Sequence, residues 1–315
     1  MRKETWLDGI VGVLTGDALG NPVQFMDRDA LKRRGLVKGM ESGGFFQTPA
    51  GTWTDDGSMT LATLDAIRTT GRLDPDDVMK NFVAWNRNGR YVQGGRAFDQ
   101  GATCLSAIRR YDELGFDVES CGLDDEWSNG NGALMRIMPA CLYAMETTDD
   151  VDEAERIVDS ITALTHAHER AKIASKLYFH MARSVVENDG TLFERMKEGL
   201  DAGFIRFSAS KEIRWFARMQ NLKAFASLPE EEISSSGYCV DSLEAATWSL
   251  ASTSSFEECL LKAVNLAEDA DSVGAIAGGI AGLYYGRASI PREWTDAMRK
   301  LETVEEWCRT MPFSK

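Results

Sequence analysis

The chain has 315 residues, with 35 Lys and Arg against 49 Asp and Glu, a formal net charge of −14 and 43% hydrophobic residues. Such an acidic surface repels DNA and RNA at long range and disfavours nucleic acid as a partner, and no stretch reaches the roughly 18 apolar residues of a membrane span. Six cysteines without a CxxC pair argue for reduced thiols rather than a disulfide framework or a zinc site, and Met1–Trp6 lacks the apolar run of a signal peptide, so a cytoplasmic protein is expected.

No linker, low-complexity stretch or solenoid-period repeat divides residues 1–315, and strand patterns are scarce, which reads as a single all-α domain. Taken in order, helices are expected near 5–18, 57–70, 75–87, 97–112, 133–146 and 151–164. A stripe of Ala167, Ala171, Ala174, Tyr178, Met181 and Val185, at steps of four and three, marks one over 167–185. The region 201–238 reads as a long connection with short helices, followed by helices near 241–251, 256–267, 271–285 and 301–309. In the segment Val273–Tyr285, Gly274, Gly278 and Gly282 recur every four residues, so another helix can approach closely. Its apolar length suits a buried core helix.

Two acidic clusters lie far apart in the chain. Thr54-Asp55-Asp56 precedes one helix, and Asp269-Ala270-Asp271-Ser272 opens the glycine-rich one. Each alone is equally a helix N-cap or a solvated turn. Together they offer four carboxylates and two hydroxyls, the hard oxygen donors that Mg2+ and Mn2+ prefer, enough to hold two such ions if folding joins them. The turn Ser128-Asn129-Gly130-Asn131-Gly132 feeds a helix and can present backbone N–H groups to a phosphate, although such turns also occur with no ligand. Of the three histidines, His166 and His168 stand at i, i+2 and share no helix face. They suit a ligand contact at a helix mouth better than a metal site.

Seven segments taken in order resemble the ADP-ribosylglycohydrolase family over roughly residues 8 to 290. They are Gly16–Gly20, Trp53–Asp56, Phe98–Thr103, Gly130–Arg136, Thr165-His166, Ser235–Asp241 and Asn265–Ala275. The resemblance implies a compact, orthogonal, multi-helix all-α fold. It also implies a centre of two divalent cations, Mg2+ or Mn2+, that orients the distal ribose and activates water. The implied reaction removes ADP-ribose from an ADP-ribosylated protein, most often from arginine. Carried over by position, the metal ligands fall on Thr54, Asp55, Asp56, Asp269, Asp271 and Ser272. Asp99 and Gly101 belong to the loop at the reacting ribose, Gly130, Asn131 and Gly132 to the pyrophosphate cradle, and His166 and Tyr238 to the ADP-ribose pocket. Asp55, Asp56, Asp99 and Asp271, with Gln24, are the implied catalytic set.

Some positions depart from the family pattern. Gln24 stands where many relatives carry Glu, a candidate base or ligand, and Gln takes up no proton at neutral pH although its carbonyl can orient a water. Turnover with an Asp as base, slow turnover, and binding of ADP-ribosylated targets without turnover all follow from this exchange. The enzyme reading is kept because the carboxylates are otherwise complete. Gly57 replaces a usual Thr or Ser, Ala267-Glu268 a Gly-Gly or Gly-Glu pair, and Ala270 a frequent Thr. The alternatives in view are an impaired ADP-ribose-binding or immunity-type protein, and a hydrolase of another linkage: serine, O-acetyl-ADP-ribose or a nucleobase.

Overall fold

The computed structural model describes residues 4–313. Among them are fifteen α-helices and no strand. Isolated bridges join Gly43 to Thr48, Leu123 to His166 and Gly130 to Tyr238. Buried apolar side chains from Trp6 to Met311 form one contiguous cluster.

At its centre the helix Glu4–Gly20 crosses the helix Ala270–Tyr285, and both are buried along nearly their whole length. Glycines set the separation. A Cβ on Gly12 would sit 2.1 Å from the Gly278 carbonyl oxygen, one on Gly16 1.9 Å from that of Gly274, and one on Gly282 2.1 Å from that of Asp8. One number falls as the other rises, so the helices run antiparallel. The step-of-four glycines expected to admit a close neighbour do so on both partners. The consequence for the site is direct: the end of one helix, at Gly20, meets the start of the other, at Ala270-Asp271.

The helix Asp55–Thr70 begins at the same end. Thr54 caps it by accepting the Asp56 N–H, two carboxylates occupy its first turn, and Gly71 (φ 72°) closes it by donating to the Ile67 carbonyl. Gly57 lies where this turn presses on its neighbours: a Cβ there would meet Leu14 at 2.7 Å and Trp53 at 2.8 Å, so the usual Thr or Ser has no room.

Several expected boundaries shift for local reasons. The helix expected from 97 starts at Ala102, since Asp99 holds φ 57°, outside helical space. The one expected from 133 starts at Met138, after a 3-10 turn at Leu134–Arg136. The helix expected over 167–185 spans Glu169–Glu187, because His168 caps it by accepting the Arg170 N–H. The one expected to reach 267 ends at Val264, ahead of two left-handed residues, Ala267 (φ 64°) and Glu268 (φ 56°), the pair that stands where the family has glycine. The helix Leu192–Arg206 was not expected, although Thr191 and Glu194 form a reciprocal capping box at its start.

Candidate active site

Asp17 organises the first acidic cluster. It lies in the buried helix Glu4–Gly20 and accepts the Thr54 N–H at 2.9 and 3.0 Å and the Gly57 N–H at 2.7 Å. This fixes the start of the helix Asp55–Thr70 and aims Asp55 and Asp56 into a cavity of about 350 Å3. The opposite wall is the start of the helix Ala270–Tyr285. Asp269 occupies its N-cap position, yet its side chain makes no capping bond; it accepts instead from the Asn131 amide. Asp271 and Ser272 stand in the first turn of that helix, and the Ser272 hydroxyl lies beside Asp56 and Asp269, easing the charge of each.

This crowding is electrostatically costly without a counter-charge. Burial, then the charges of Asp99 and Asp56, hold Asp55 well above the ordinary carboxylate range. Burial, then neighbouring carboxylates, do the same for Asp56 and Asp271. Burial lifts Asp17 to about 8 against the pull of its Thr54 and Gly57 hydrogen bonds. Asp99 rises to about 6, again through burial, tempered by the Gln24 amide that faces it. One carboxylate oxygen on each of Asp56, Asp99 and Asp271 is buried with no hydrogen-bond partner among the described residues. Among those residues no three His, Cys, Asp or Glu side chains close into a ligand set around one point; the carboxylates line the wall. Orphaned anionic oxygens beside a serine hydroxyl are nonetheless the donors a hard divalent cation takes, so the residues present fit such a group.

The remaining wall comes from loops. In the turn Gly130–Gly132 the Asn131 N–H donates to the Gly237 carbonyl (2.9 Å), and the Asn131 amide donates to Ser242 (2.9 Å). Gly132 has no room for a side chain, because a Cβ would lie 2.8 Å from Cys104 and 3.0 Å from His166. The His166 ring is oriented from behind. The fully buried Arg136, its guanidinium 4.6 Å over the Phe82 ring, donates to the Thr165 hydroxyl at 2.8 Å, and that hydroxyl meets His166 Nδ1 at 2.8 Å. With the hydroxyl accepting from arginine, its own proton is free to be donated to Nδ1, and in that arrangement the His166 proton stands on Nε2. Burial, reinforced by Arg136, lowers this histidine to about 3, so it is neutral at physiological pH and offers one donor toward the glycine turn.

Folding therefore brings Gln24, Asp55, Asp56, Asp99, Gly101, Gly130, Asn131, Gly132, His166, Asp269, Asp271 and Ser272 around one cavity. Two expected residues stand apart. Thr54 is not among the lining residues: its hydroxyl bonds Asp56 at 3.1 Å from behind. Tyr238 lines an adjoining cavity of about 530 Å3, reached past Gly130 and Gly237, together with Trp127, Arg170 and Trp215. There Trp127 is 94% exposed and the Arg170 guanidinium lies 4.3 Å over the Trp215 ring, so flat aromatic faces meet a cation. The sequence reading gave no role to Asp17, although a carboxylate inside the apolar run Ile10–Leu19 was a usable sign. Arg170, Trp127 and Trp215 carried no comparable pattern.

The model of the family described as ADP-ribosylglycohydrolase matches residues 2–312. The chain is 30% identical to ADP-ribosylarginine hydrolase Tri1 of Serratia proteamaculans (strain 568), over 94% of this chain and 75% of that protein. It is also 30% identical to the ADP-ribosyl-[dinitrogen reductase] glycohydrolase of Rhodospirillum rubrum, over 91% of this chain and 88% of that protein. A solved structure titled ADP-ribosylglycohydrolase-related protein complex superposes with a TM-score of 0.81 at 30% identity, covering 100% of this chain and 99% of that one.

Proposed function

This chain belongs to the ADP-ribosylglycohydrolase family, and we propose that it releases ADP-ribose from modified arginine side chains of proteins with the help of two divalent cations, Mg2+ or Mn2+. The observation that carries this reading is the convergence of both acidic clusters and Asp99 on the cavity that the glycine turn also lines. Similarity to two hydrolases of about 30% identity, one named for arginine, supports the linkage.

Asp55, Asp56, Asp269 and Asp271, with Ser272, would hold the cations, which supply compensating charge and Lewis acidity when bound. The protein's own groups do the rest. The backbone N–H groups of Gly130 and Gly132 and His166 Nε2–H hold the pyrophosphate, and the neutral imidazole donates without changing charge over the working pH range. The aromatic cavity beyond Gly130 receives the base by stacking on Trp127 or Trp215. Asp99 stands by the reacting ribose, where its carboxylate stabilises the positive charge that develops as the glycosidic bond breaks. Gln24, buried and hydrogen-bonded to Asn21 at 3.3 Å, faces Asp99 and orients water through its carbonyl.

The test is incubation with an arginine-ADP-ribosylated protein in Mg2+, in Mn2+ and in EDTA, with released ADP-ribose measured by mass spectrometry. Cation-dependent release is expected. ADP-ribose binding without release from this substrate would move the reading to a binding protein or another linkage.

A further inference from the structure

Asp99 and Gln100 also line a second neighbouring cavity, of about 500 Å3, which shares no residue with the aromatic cavity beyond Gly130. The three cavities form a series. Gly130 and Gly237 join the aromatic one to the catalytic one, and Asp99 and Gln100 join the catalytic one to this third space. A substrate whose reacting carbon lies at Asp99 sends its nucleotide one way and its acceptor the other. We propose that the third space is the docking surface for the modified protein and that it selects a segment with acidic residues beside the modified one; this rests on the arginine-hydrolase reading above.

Charge and shape support that occupant. Arg96 and Arg299 stand on the wall, both exposed, and neither guanidinium has an ionic partner among the described residues. By contrast, nearby Arg87 is paired with Asp112 and Arg90 with Asp65. Asp99 is the one carboxylate on this wall, so the cavity is a local positive site on a protein of net charge −14. The wall is also held in place. The Gln93 side chain donates to the carbonyls of Gly51 (2.8 Å) and Arg299 (3.1 Å) and accepts the Trp53 N–H (3.0 Å), tying the arginine segments to the loop before Asp55. Phe46 and Phe98 line this space 5.0 Å apart, and Phe46 meets the rings of Phe25 and Phe45, which are 55% and 71% exposed. Exposed rings on a rim offer faces on which a planar guanidinium stacks. The negative net charge argues against nucleic acid as the occupant.

The experiment compares two ADP-ribosyl-arginine peptides, one flanked by Asp and Glu and one by Lys, with ADP-ribosyl-arginine itself as the third substrate, on wild type and on the Arg96→Glu/Arg299→Glu double variant. At low salt wild type is expected to prefer the acidic peptide in kcat/KM by roughly tenfold, and the double variant to lose or reverse that preference. ADP-ribosyl-arginine is expected to turn over equally in both proteins. Equal treatment of the two peptides by wild type overturns the proposal. So does a preference that survives the double substitution, or an equal loss on ADP-ribosyl-arginine, which would mean that the arginines hold the nucleotide. Anisotropy of the same labelled peptides in EDTA makes the comparison without turnover. A missing reaction on all three substrates then counts against the arginine linkage, and equal binding of both peptides counts against the docking surface. Displacement of the acidic peptide by a short oligonucleotide as effectively as by unlabelled peptide would also overturn a protein occupant.

Discussion

The carboxylate of Asp17 receives the backbone N–H of Thr54 through both of its oxygens, at 2.9 and 3.0 Å, and takes the Gly57 N–H as well. A buried acid on one helix thus sets the start of another, and that start carries Asp55 and Asp56. Asp17→Ala strands two buried donors. Each costs about 1–3 kcal/mol, so a loss of about 3 kcal/mol or more is expected in denaturant melts. Asp17→Asn keeps one acceptor oxygen and is expected to fall between wild type and the alanine variant. Both are expected to weaken Mg2+ binding, read by calorimetry, without touching the ion. Wild-type stability in Asp17→Ala would remove this role.

The crossing of Gly16 with Gly274 fixes the distance between the two acidic clusters. A Cβ on Gly274 would lie 2.4 Å from the Gly16 carbonyl oxygen, and backbone at that distance has no rotamer by which to yield. Gly274→Ala is expected to cost more than about 3 kcal/mol, with activity falling further than stability at temperatures where the variant is still folded. The same methyl at Gly115, an exposed turn with φ 68° and open space around it, is expected to cost about 1 kcal/mol and leave activity intact. Thermal melts and initial rates on the pair separate close packing from backbone conformation.

Much of this was readable in the residues because each rule acted locally. The step-of-four glycines of 274–282 announced a close helix partner, and the ordered acidic and glycine segments announced what converges. What escaped was set by contacts distant in sequence. Asp99 interrupts an apparent helix because its backbone is left-handed, and Gln93 joins Gly51, Trp53 and Arg299 through one amide. Thr54 offered a hydroxyl to the cavity by pattern, yet capping turned it toward Asp56. The helix after Thr191 was missed although both signs were local: the capping box, and a stripe of Leu192, Met196, Leu200 and Phe204 at steps of four.

Asp99 supplies one part of the pH dependence of the cation-free protein, beside the raised Asp17, Asp55, Asp56 and Asp271. The Asp99 carboxyl rises from 3.8 to about 6 on folding, chiefly through burial, so the folded state holds the proton more tightly than the unfolded chain. The stabilisation is complete below pH 4 and is lost as pH rises through 6. Asp99→Asn carries no proton to lose, and Asn tolerates the left-handed backbone. Relative to wild type it is expected to gain about 1–3 kcal/mol between pH 4 and 7 in EDTA. In Mg2+ wild type is expected to recover, with a larger rise in melting temperature at pH 8 than at pH 5, because protons and cations compete for the same carboxylates. A rise in melting temperature that is equal at both pH values would contradict this.

The relay from Arg136 through Thr165 to His166 makes a separable prediction. Thr165→Val preserves shape but removes the hydroxyl that sets the imidazole proton on Nε2. A loss of ADP-ribose affinity of about tenfold is expected, with little change in kcat. The His166→Ala loss should be no smaller, and the two losses together should be less than additive, since one acts through the other. Because burial holds His166 near 3, wild-type affinity is expected to stay flat between pH 6 and 8 as far as this residue governs it. Additive losses would place the two residues on independent contacts.

Gln24→Glu decides what the amide costs. The Gln24 amide donates to Asn21 and faces Asp99, and a carboxylate there gives up that donation and adds a charge beside a crowded acidic wall. In EDTA at pH 8 the variant is therefore expected to be less stable than wild type by about 1–3 kcal/mol. At pH 5, where the added group can share a proton with Asp99, the deficit should shrink. With Mg2+ saturating, the same carboxylate supplies a base and an anionic ligand where the amide offers only a neutral carbonyl oxygen, so kcat on an arginine-ADP-ribosylated substrate is expected to rise by about tenfold or more. Destabilisation without cation together with faster turnover in its presence would show that Gln24 trades rate for tolerance of the empty site. A variant slower than wild type at saturating Mg2+ would instead show that orientation by the amide, rather than proton transfer, limits this enzyme.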